Sequence, residues 1–275
     1  MSLRPPNFLL NTPAFLQRIV ADKRCEVARR RQNESLITVQ QRASAVPPPR
    51  DFVAALQSPN SRLPVIAEIK KKSPSKGLLR ADFDPATLAS QYEAGGATCL
   101  SVLTDTPYFG GKDAHLQQAR AACMLPILRK DFMLEEWQIY ESRALEADAV
   151  LLIVAALTPE LMHSMAQAAH KLGMAVLTES HTAEELEMAL TVPNALIGIN
   201  NRNLHTFEVS LQTSINLLPL AHATTPRPLT VAESGIASNA DIKSLTAAGV
   251  DAFLIGETFM RASDPGTALR QLFAD

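Results

Sequence analysis

A carboxylate and a run of lysines stand at the end of an apolar segment near residue 70. Glu68 and Lys70 flank Ile69 at the end of this strand-like stretch, so their side chains should point the same way. An acid and an amine on one face of a buried strand should shift each other's pKa. Residues 70–76 read KKKSPSK, which favours an anionic, phosphorylated ligand, although most lysine runs are solvated basic loops.

Further polar side chains follow other apolar, strand-like segments. They are, in chain order, Thr104 and Asp105, Lys130 and Asp131, Glu179, Asn200 and Arg202, Glu233 and Ser234, and Gly256 and Glu257. Two lysines and at least two carboxylates that converge on one mouth are what general acid–base catalysis requires. No serine–histidine or cysteine–histidine pair stands at these positions, which argues against nucleophilic acyl transfer.

Glycines follow the last two strand-like segments and predict a phosphate site. Gly235 comes after Ser234, and Gly256 comes before Glu257 and Thr258. Glycine lets backbone N–H groups approach an anion closely, and a helix that begins there directs its positive end at the anion. Either glycine alone could be an ordinary turn residue, but barrel enzymes commonly bind phosphate after their seventh and eighth strands.

Two of the few aromatic residues stand beside these candidate groups. Phe109 precedes a glycine pair after the second strand-like segment, and Phe132 directly follows Lys130 and Asp131. Aromatic side chains in such places could pack against a planar substrate ring. The alternative for both is ordinary anchoring of a loop.

Strand-like and helical segments alternate through most of the chain. Eight predicted strands match the count and the length of a (β/α)8 barrel, whereas no GxGxxG turn follows the first strand, as a doubly wound open sheet would require. The predicted strands are 63–69, 97–103, 125–129, 149–154, 175–178, 195–199, 229–232 and 252–255. The fold class is therefore α/β, a (β/α)8 TIM barrel.

Helix boundaries fit this alternation. Three Asp-Pro or Thr-Pro pairs place a capping oxygen before a proline that suits the first helical turn, and Thr182 with Glu185 fits a capping box. The pairs are Asp84-Pro85, Thr158-Pro159 and Asp264-Pro265. Gly95-Gly96, Gly173 and Gly249 stand where helices must stop.

The first sixty residues do not fit the repeat. A helix is predicted to open at Thr12-Pro13, with an apolar stripe and a highly charged end at 23–31. Three prolines at 47–49 then break the chain before a short amphipathic segment. We predict that residues 1–60 form a helical extension packed on the barrel and that 61–275 form the catalytic barrel, within one structural domain.

The composition excludes several classes of protein. The chain has 275 residues, 47% of them hydrophobic, and a net charge of −2, so no global field attracts nucleic acid or an anionic membrane. The longest apolar run, 149–157, is too short to span a bilayer. The apolar stretch 8–10 is broken at 11–13, unlike the core of a signal peptide.

Cysteine and histidine do not indicate a metal site. Cys25, Cys99 and Cys123 lack metal-ligand spacing and are predicted to be small buried hydrophobes. The six histidines are scattered, without an HExxH pair. The sequence thus predicts a soluble, cytoplasmic, metal-free protein.

Several long motifs carry a family resemblance over essentially the whole chain. They are 66–75 (IAEIKKKSPS), 103–105 (LTD), 108–111 (YFGG), 127–132 (ILRKDF), 177–179 (LTE), 197–204 (IGINNRNL), 232–236 (AESGI) and 254–257 (LIGE). In this order they closely resemble the indole-3-glycerol phosphate synthase family. Lys112 departs from the family, in which many members have serine at that position.

The resemblance implies ring closure of 1-(o-carboxyphenylamino)-1-deoxyribulose 5-phosphate, with loss of carbon dioxide and water, in tryptophan biosynthesis. It implies a monofunctional enzyme that needs no cofactor and acts on a small phosphorylated substrate. We expect no nucleic-acid or membrane partner and a monomer or weak homodimer. The alternatives are a Schiff-base aldolase with Lys70 or Lys130 as nucleophile, and a non-catalytic binding barrel.

The resemblance also implies roles for individual residues. Lys130 matches the family's general acid, for which we expect a pKa lowered by desolvation, and Glu179 matches the base. Lys70 is a second candidate acid. The implied catalytic set is Glu68, Lys70, Lys130, Glu179, Asn200 and Ser234. The implied substrate-binding set is Lys72, Ser73, Phe109, Phe132, Arg202, Glu233, Gly235, Gly256 and Glu257, with Ser234 also on the phosphate side and the two aromatic residues near the anthranilate ring.

Overall fold

A closed parallel barrel forms the centre of the molecule. The computed structural model describes residues 13–58 and 64–274, and within them eight parallel strands close on themselves. In chain order these are β1 (Val65–Ile69), β4 (Cys99–Leu103), β5 (Ile127–Lys130), β6 (Ala149–Ile153), β7 (Ala175–Ser180), β8 (Leu196–Asn200), β9 (Thr230–Glu233) and β10 (Ala252–Ile255). β1 pairs with β4 on one side and β10 on the other, which closes the barrel and confirms the predicted fold class.

The strands form where the sequence is continuously apolar. Every residue of β1, β4, β6, β8, β9 and β10 is buried, since side chains face either the barrel interior or the surrounding helices. The predicted strand bounds differ from the observed ones by up to two residues, and several strands end later than predicted because polar end residues still join the ladder. Lys130 pairs with Leu103, for example, and Asn200 pairs with Glu233. Residue 63, the predicted start of the first strand, lies outside the described residues.

Helices surround the barrel. They are α4 (Pro85–Gly95), α5 (Thr106–Phe109), α6 (Asp113–Ala122), α7 (Glu136–Ala144), α8 (Pro159–Lys171), α9 (Ala183–Ala189), α10 (Gln212–His222), α11 (Asn239–Ala248), α12 (Glu257–Met260) and α13 (Pro265–Leu272). The side chains of Asp84, Thr158 and Asp264 accept from backbone N–H groups at three of the helix starts, as predicted. Among the described residues, no helix is both long and apolar enough to cross a membrane.

The helix start near residue 182 differs in part from the predicted capping box. The Thr182 hydroxyl accepts from the Glu185 N–H, which is the expected half of the motif. The Glu185 carboxylate accepts instead from the N–H of His181, one residue before the cap, at 2.7 Å.

A short antiparallel hairpin follows β1. It consists of β2 (Lys72–Ser73) and β3 (Gly77–Leu78), and the residues between them form the turn. Gly77 has φ of +68°, a conformation that glycine adopts without strain. The sequence indicated a turn here, but it did not indicate the pairing.

Three helices precede the barrel. They are α1 (Ala14–Asn33), α2 (Leu36–Ala45) and α3 (Phe52–Gln57). α1 lies over the carboxyl ends of the strands, where Phe15, Leu16 and Ile19 line a cavity, and α2 packs on α7. α3 lies at the opposite end, where the Phe52 carbonyl meets Cys99, the first residue of β4. Thr12 and the proposed division at residue 60 lie outside the described residues.

One cysteine is not buried as expected. Cys99 and Cys123 are buried, but Cys25 is exposed. On α1, the buried positions Lys23 and Val27 are one helical turn apart, and Cys25 falls between them on the opposite face. The prediction for Cys25 was therefore wrong, because a single apolar-type residue was read without the helix face to which it belongs.

Candidate active site

The predicted site residues meet in one cavity at the carboxyl ends of the strands. Its volume is about 760 Å³, and its lining comes from the barrel strands, the loops that follow them and α1. The predicted site residues that line it are Glu68, Lys70, Ser73, Phe109, Lys130, Phe132, Glu179, Asn200, Arg202, Glu233, Ser234, Gly235, Gly256 and Glu257. Lys72 does not line it.

Lys130 lies at the centre of three carboxylates. Its Nζ donates to Glu233 Oε2 at 2.5 Å and lies 3.3 Å from Glu179 Oε2 and 4.0 Å from Glu68 Oε2. Burial lowers the pKa of this ammonium, but the attraction of the three carboxylates outweighs burial and holds the pKa well above its usual range. The expected lowering was therefore wrong, because the carboxylates come from three strands distant in the sequence.

Glu68 and Lys70 lie on one side of β1, as the alternation predicts, and they form an ion pair. Burial raises the Glu68 pKa, but Lys70 and Lys130 outweigh it and hold the pKa below its usual range. The pair also explains Gly256, because a Cβ at that position would lie 2.3 Å from Glu68 Oε1. Gly256 therefore makes room for a carboxylate of the site as well as for backbone approach to a ligand.

Glu179 is held ionised by three neighbours. Asn200 Nδ2 donates to Oε1 at 3.1 Å, Lys130 lies beside Oε2, and the ring of His181 lies 3.4 Å from Oε1. Burial raises the Glu179 pKa, but Lys130, His181 and Asn200 together lower it far below its usual range. Glu179 therefore keeps an unprotonated carboxylate at neutral pH.

The pKa of Glu233 is shifted in the opposite direction from that of Glu179. Burial, joined by repulsion from Glu179 and Glu68, outweighs the attraction of Lys130 and raises the pKa of Glu233 to about 7. Its Oε1 makes no hydrogen bond to any part of the chain that the structure describes, and a Cβ at Gly198 would lie 2.4 Å from that oxygen. The site thus contains two carboxylates that stay ionised, Glu68 and Glu179, and one, Glu233, that titrates near neutrality.

A second part of the cavity is lined by backbone and hydroxyl groups. Ser234 and Gly235 have consecutive positive φ values of +67° and +81°, so the chain turns sharply after β9. Gly256 directly follows β10, and α12 begins at the next residue. The Ser73 hydroxyl is buried without a hydrogen-bond partner in the described chain. These groups could receive an anion, as the sequence predicts for this side.

Arg202 lines the same cavity beside Glu257. Its guanidinium donates to the Phe207 carbonyl at 3.2 Å and lies 3.7 Å from the Glu257 carboxylate. The sequence analysis missed Ser75 and Lys76, which also line the cavity from the turn between β2 and β3. The KKKSPSK run could have identified them, but the sequence analysis took only Lys72 and Ser73 of its loop as substrate-binding residues.

Lys72 lies outside the cavity. Its Nζ donates to the Pro107 carbonyl at 2.9 Å, and its stem lies against Gly110. Successive side chains of a strand point to opposite faces, so Lys72 points away when Ser73 points in. Lys112 does not line the cavity either, and it stands at the start of α6.

Aromatic side chains form an apolar part of the cavity lining. The rings of Phe109 and Phe132 are 6.2 Å apart, and both line the cavity. Phe15 of α1 completes the mouth, with its ring 5.7 Å from Tyr108 and 5.3 Å from Phe207. Phe15 and Phe207 line the cavity, and the sequence analysis assigned neither to the site; for Phe15 the reason is that it gave α1 no definite place.

Asp105 and Asp131 anchor α1 although they stand at strand ends. Both contact the ammonium of Lys23, at 3.1 and 2.8 Å, and all three side chains are buried. Lys23 belongs to the buried face of α1 with Ile19 and Val27, a spacing that could have identified it as an inward-pointing cation.

Acid–base side chains converging on the carboxyl end of a closed parallel barrel define this protein as a TIM-barrel enzyme. A thiamine phosphate pyrophosphorylase from Pyrococcus furiosus shares this fold, with a TM-score of 0.54 and 15% identity over 77% of this chain and 94% of that one. The model of the indole-3-glycerol phosphate synthase family matches residues 16–272.

Two curated relatives carry the family's name. One from Azoarcus sp. is 54% identical over 261 residues, which are 94% of this chain and 98% of that protein. One from Aromatoleum aromaticum is 53% identical over the same shares of both chains. The chain belongs to the indole-3-glycerol phosphate synthase family.

Proposed function

We propose that this chain converts 1-(o-carboxyphenylamino)-1-deoxyribulose 5-phosphate to indole-3-glycerol phosphate, with release of carbon dioxide and water. It is a carboxy-lyase of tryptophan biosynthesis, as its family and curated relatives support. The observation that carries the chemistry is the Lys130 ammonium, which lies between an ionised Glu179 and a Glu233 that titrates near neutrality.

The two parts of the cavity suit the two ends of this substrate. The phosphate lies by Ser73, Ser234, Gly235 and Gly256, where a buried hydroxyl and sharply turned backbone are available. The anthranilate ring packs against the apolar wall of Phe109 and Phe132. The ketone then lies toward Lys130, with Arg202 and Asn200 beside the chain that joins the two ends. Lys72 is left out of this arrangement.

Lys130 supplies the proton for ring closure. The ring carbon that bears the carboxylate attacks the ketone carbon, and the ketone oxygen takes the Lys130 proton to become a hydroxyl group. A raised pKa is compatible with this role, because it keeps Lys130 protonated at neutral pH and so able to donate as negative charge develops on the ketone oxygen. The bond to the carboxylate then breaks and carbon dioxide leaves, which restores the benzene ring.

Glu179 completes the reaction as a base. The new hydroxyl group leaves as water after it accepts a second proton, and Glu179 removes the C–H proton from the carbon next to nitrogen to give the indole double bond. Lys70 delivers the second proton, or Lys130 does so after it has regained a proton from water; both side chains line the cavity. Asn200 holds Glu179 in place, and Glu68 holds Lys70.

A Schiff-base aldolase is not favoured. Imine formation needs a neutral amine, and the carboxylates around Lys130 keep it charged. The deciding assay is fluorescence-monitored formation of indole-3-glycerol phosphate from the synthetic substrate, run in parallel with borohydride. We expect turnover and no covalent adduct. A folded protein that makes no indole-3-glycerol phosphate, or that is trapped by borohydride, would contradict the proposal.

Some expectations stay predictions from the sequence. They are the cytoplasmic location, the monomer or weak homodimer, the lack of nucleic-acid and membrane partners, and the division between residues 1–60 and 61–275.

A further inference from the structure

The buried ring of His181 lies between two carboxylates, and the sequence analysis did not identify it. His181 directly follows β7, two residues after Glu179, and its side chain is 9% exposed. Its Nδ1 lies 3.0 Å from Glu185 Oε2, and its Nε2 lies 3.4 Å from Glu179 Oε1. The ring therefore connects the cavity with a carboxylate on the outer side of the barrel.

We propose that His181 is a positioning residue for Glu179, with Glu185 fixing the orientation of the imidazole ring. The inference rests on the proposed role of Glu179 as the base. It adds a residue that reaches the reaction only through Glu179, and it gives Glu185, at the start of α9, a part in the same arrangement.

The contacts determine which nitrogen faces Glu179. Glu185 Oε2 accepts both from the backbone N–H of His181, at 2.7 Å, and from its Nδ1. The backbone bond holds the Glu185 carboxylate beside the ring, and the bond from Nδ1 sets the orientation of the ring. Nε2 then points toward Glu179 and approaches its Oε1 at 3.4 Å as an ion-pair contact, without a hydrogen bond to any described residue. The same oxygen accepts from Asn200, and Oε2 is left on the side of Lys130.

Charge supports this geometry. Burial lowers the His181 pKa, but Glu179 and Glu185 outweigh it and raise the pKa to about 9. His181 is therefore an imidazolium at neutral pH, and its charge helps to keep Glu179 ionised. The 3₁₀ turn Val154–Ala156, which packs on both β7 and α9, carries no charge. Across the barrel, Glu179 is faced by Lys130, Glu68 and Glu233.

The test is the pH dependence of kcat for indole-3-glycerol phosphate formation between about pH 7 and about pH 10.5. We expect the wild-type kcat to fall through about pH 9 as His181 loses its proton. His181→Gln should have a kcat lower by about 10- to 100-fold, since a misplaced reacting group costs up to about 100-fold. Its profile should lack the fall near pH 9, and its KM should change less than about threefold, because the phosphate and ring contacts remain.

Glu185→Gln is the second variant, because a purely structural role of His181 would not predict its effect. Loss of one of the two carboxylates lowers the His181 pKa, so the alkaline fall should move to lower pH by about one unit or more. This result stands even if His181→Gln fails to fold. His163→Gln, which changes a histidine bonded to Thr191 at the surface of α8, is the matched control and should keep the wild-type profile.

The outcomes separate this inference from the proposed function. If the wild type makes no indole-3-glycerol phosphate, the proposed function fails. If Glu179→Gln keeps wild-type turnover, the role of Glu179 fails and the inference fails with it. If both hold while His181→Gln keeps the wild-type kcat, or while Glu185→Gln leaves the alkaline fall unmoved, the inference alone is overturned.

Discussion

Replacement of Lys23 by methionine should destabilise the protein in a way that depends on pH. Lys23→Met keeps most of the aliphatic stem and removes a charge that is 2% exposed. Two buried carboxylates then lose their common partner, since Asp105 lies 3.1 Å and Asp131 lies 2.8 Å from the ammonium. Thr104 and Arg129 still contact Asp131, whereas the Asp105 carboxylate keeps, within the described part of the chain, the backbone N–H of Tyr108.

The magnitude follows from this burial. Removal of one partner from a buried ion pair typically costs about 3–5 kcal/mol, a large part of the roughly 5–15 kcal/mol that stabilises a folded domain. Burial already raises the Asp105 pKa despite Lys23, and loss of Lys23 should raise the pKa of both acids. In the variant these acids favour folding only when protonated. The stability difference from wild type should therefore be small near about pH 4 and should grow as the pH rises to about 8.

Urea unfolding of wild type and variant at both pH values measures this difference. The control is Arg24→Met, because Arg24 is the neighbouring cation on α1 and is exposed. This change should lower the free energy of unfolding by less than about 0.5 kcal/mol. Adding Asp105→Asn to Lys23→Met should recover part of the loss, because the amide oxygen can still accept from Tyr108 N–H. A loss below about 1 kcal/mol at pH 8, or an equal loss at both pH values, would refute the reasoning.

Three further results are expected. Lys130→Met and Glu179→Gln should each lower kcat by at least about 100-fold with little change in KM. Rapid-quench analysis should find unreacted substrate in the Lys130→Met variant and a ring-closed species in the Glu179→Gln variant. Near wild-type turnover of Lys130→Met would transfer the acid role to Lys70. Glu233 contributes stability that is fully present below its unfolded pKa of 4.5 and is lost as the pH rises through about 7. This loss in the free energy of unfolding amounts to about 3 kcal/mol. In urea titrations, the stability of wild type relative to Glu233→Gln should therefore fall across that pH interval. In steady-state kinetics, Ser73→Ala should raise KM by about tenfold or more, whereas Lys72→Met should change KM by less than about threefold. A larger rise in KM for Lys72→Met than for Ser73→Ala would place Lys72 on the phosphate.

Local sequence patterns determined the barrel and the general position of the site. Each strand of a parallel barrel is covered on both faces, so its apolar run is visible without tertiary information. The alternation of side chains likewise placed Glu68 and Lys70 on one side of β1, where the structure finds them ion-paired. The motif order identified the family, and the family model confirms it.

The long-range contacts were not visible in the sequence. Lys130 and Asp131 are neighbours in the chain, yet Lys130 faces the cavity carboxylates and Asp131 binds Lys23 on α1. The sequence could not assign these different roles, because the partners come from β9 and from a helix more than one hundred residues earlier. Lys72 and Ser73 also differ in role, because they lie on opposite faces of the two-residue strand β2 and only Ser73 faces the cavity.

The sequence by itself therefore determined the set of strands, the strand ends at which polar residues gather and the family of the chain. Each of these depends on residues that are close together in the chain. Only the tertiary structure decided the direction of the Lys130 pKa, the anchor of α1 and the place of His181. A pKa reflects the sum of burial and of all nearby charges. For Lys130 those charges lie on β1, β7 and β9, and only closure of the barrel brings them within about 4 Å of the ammonium.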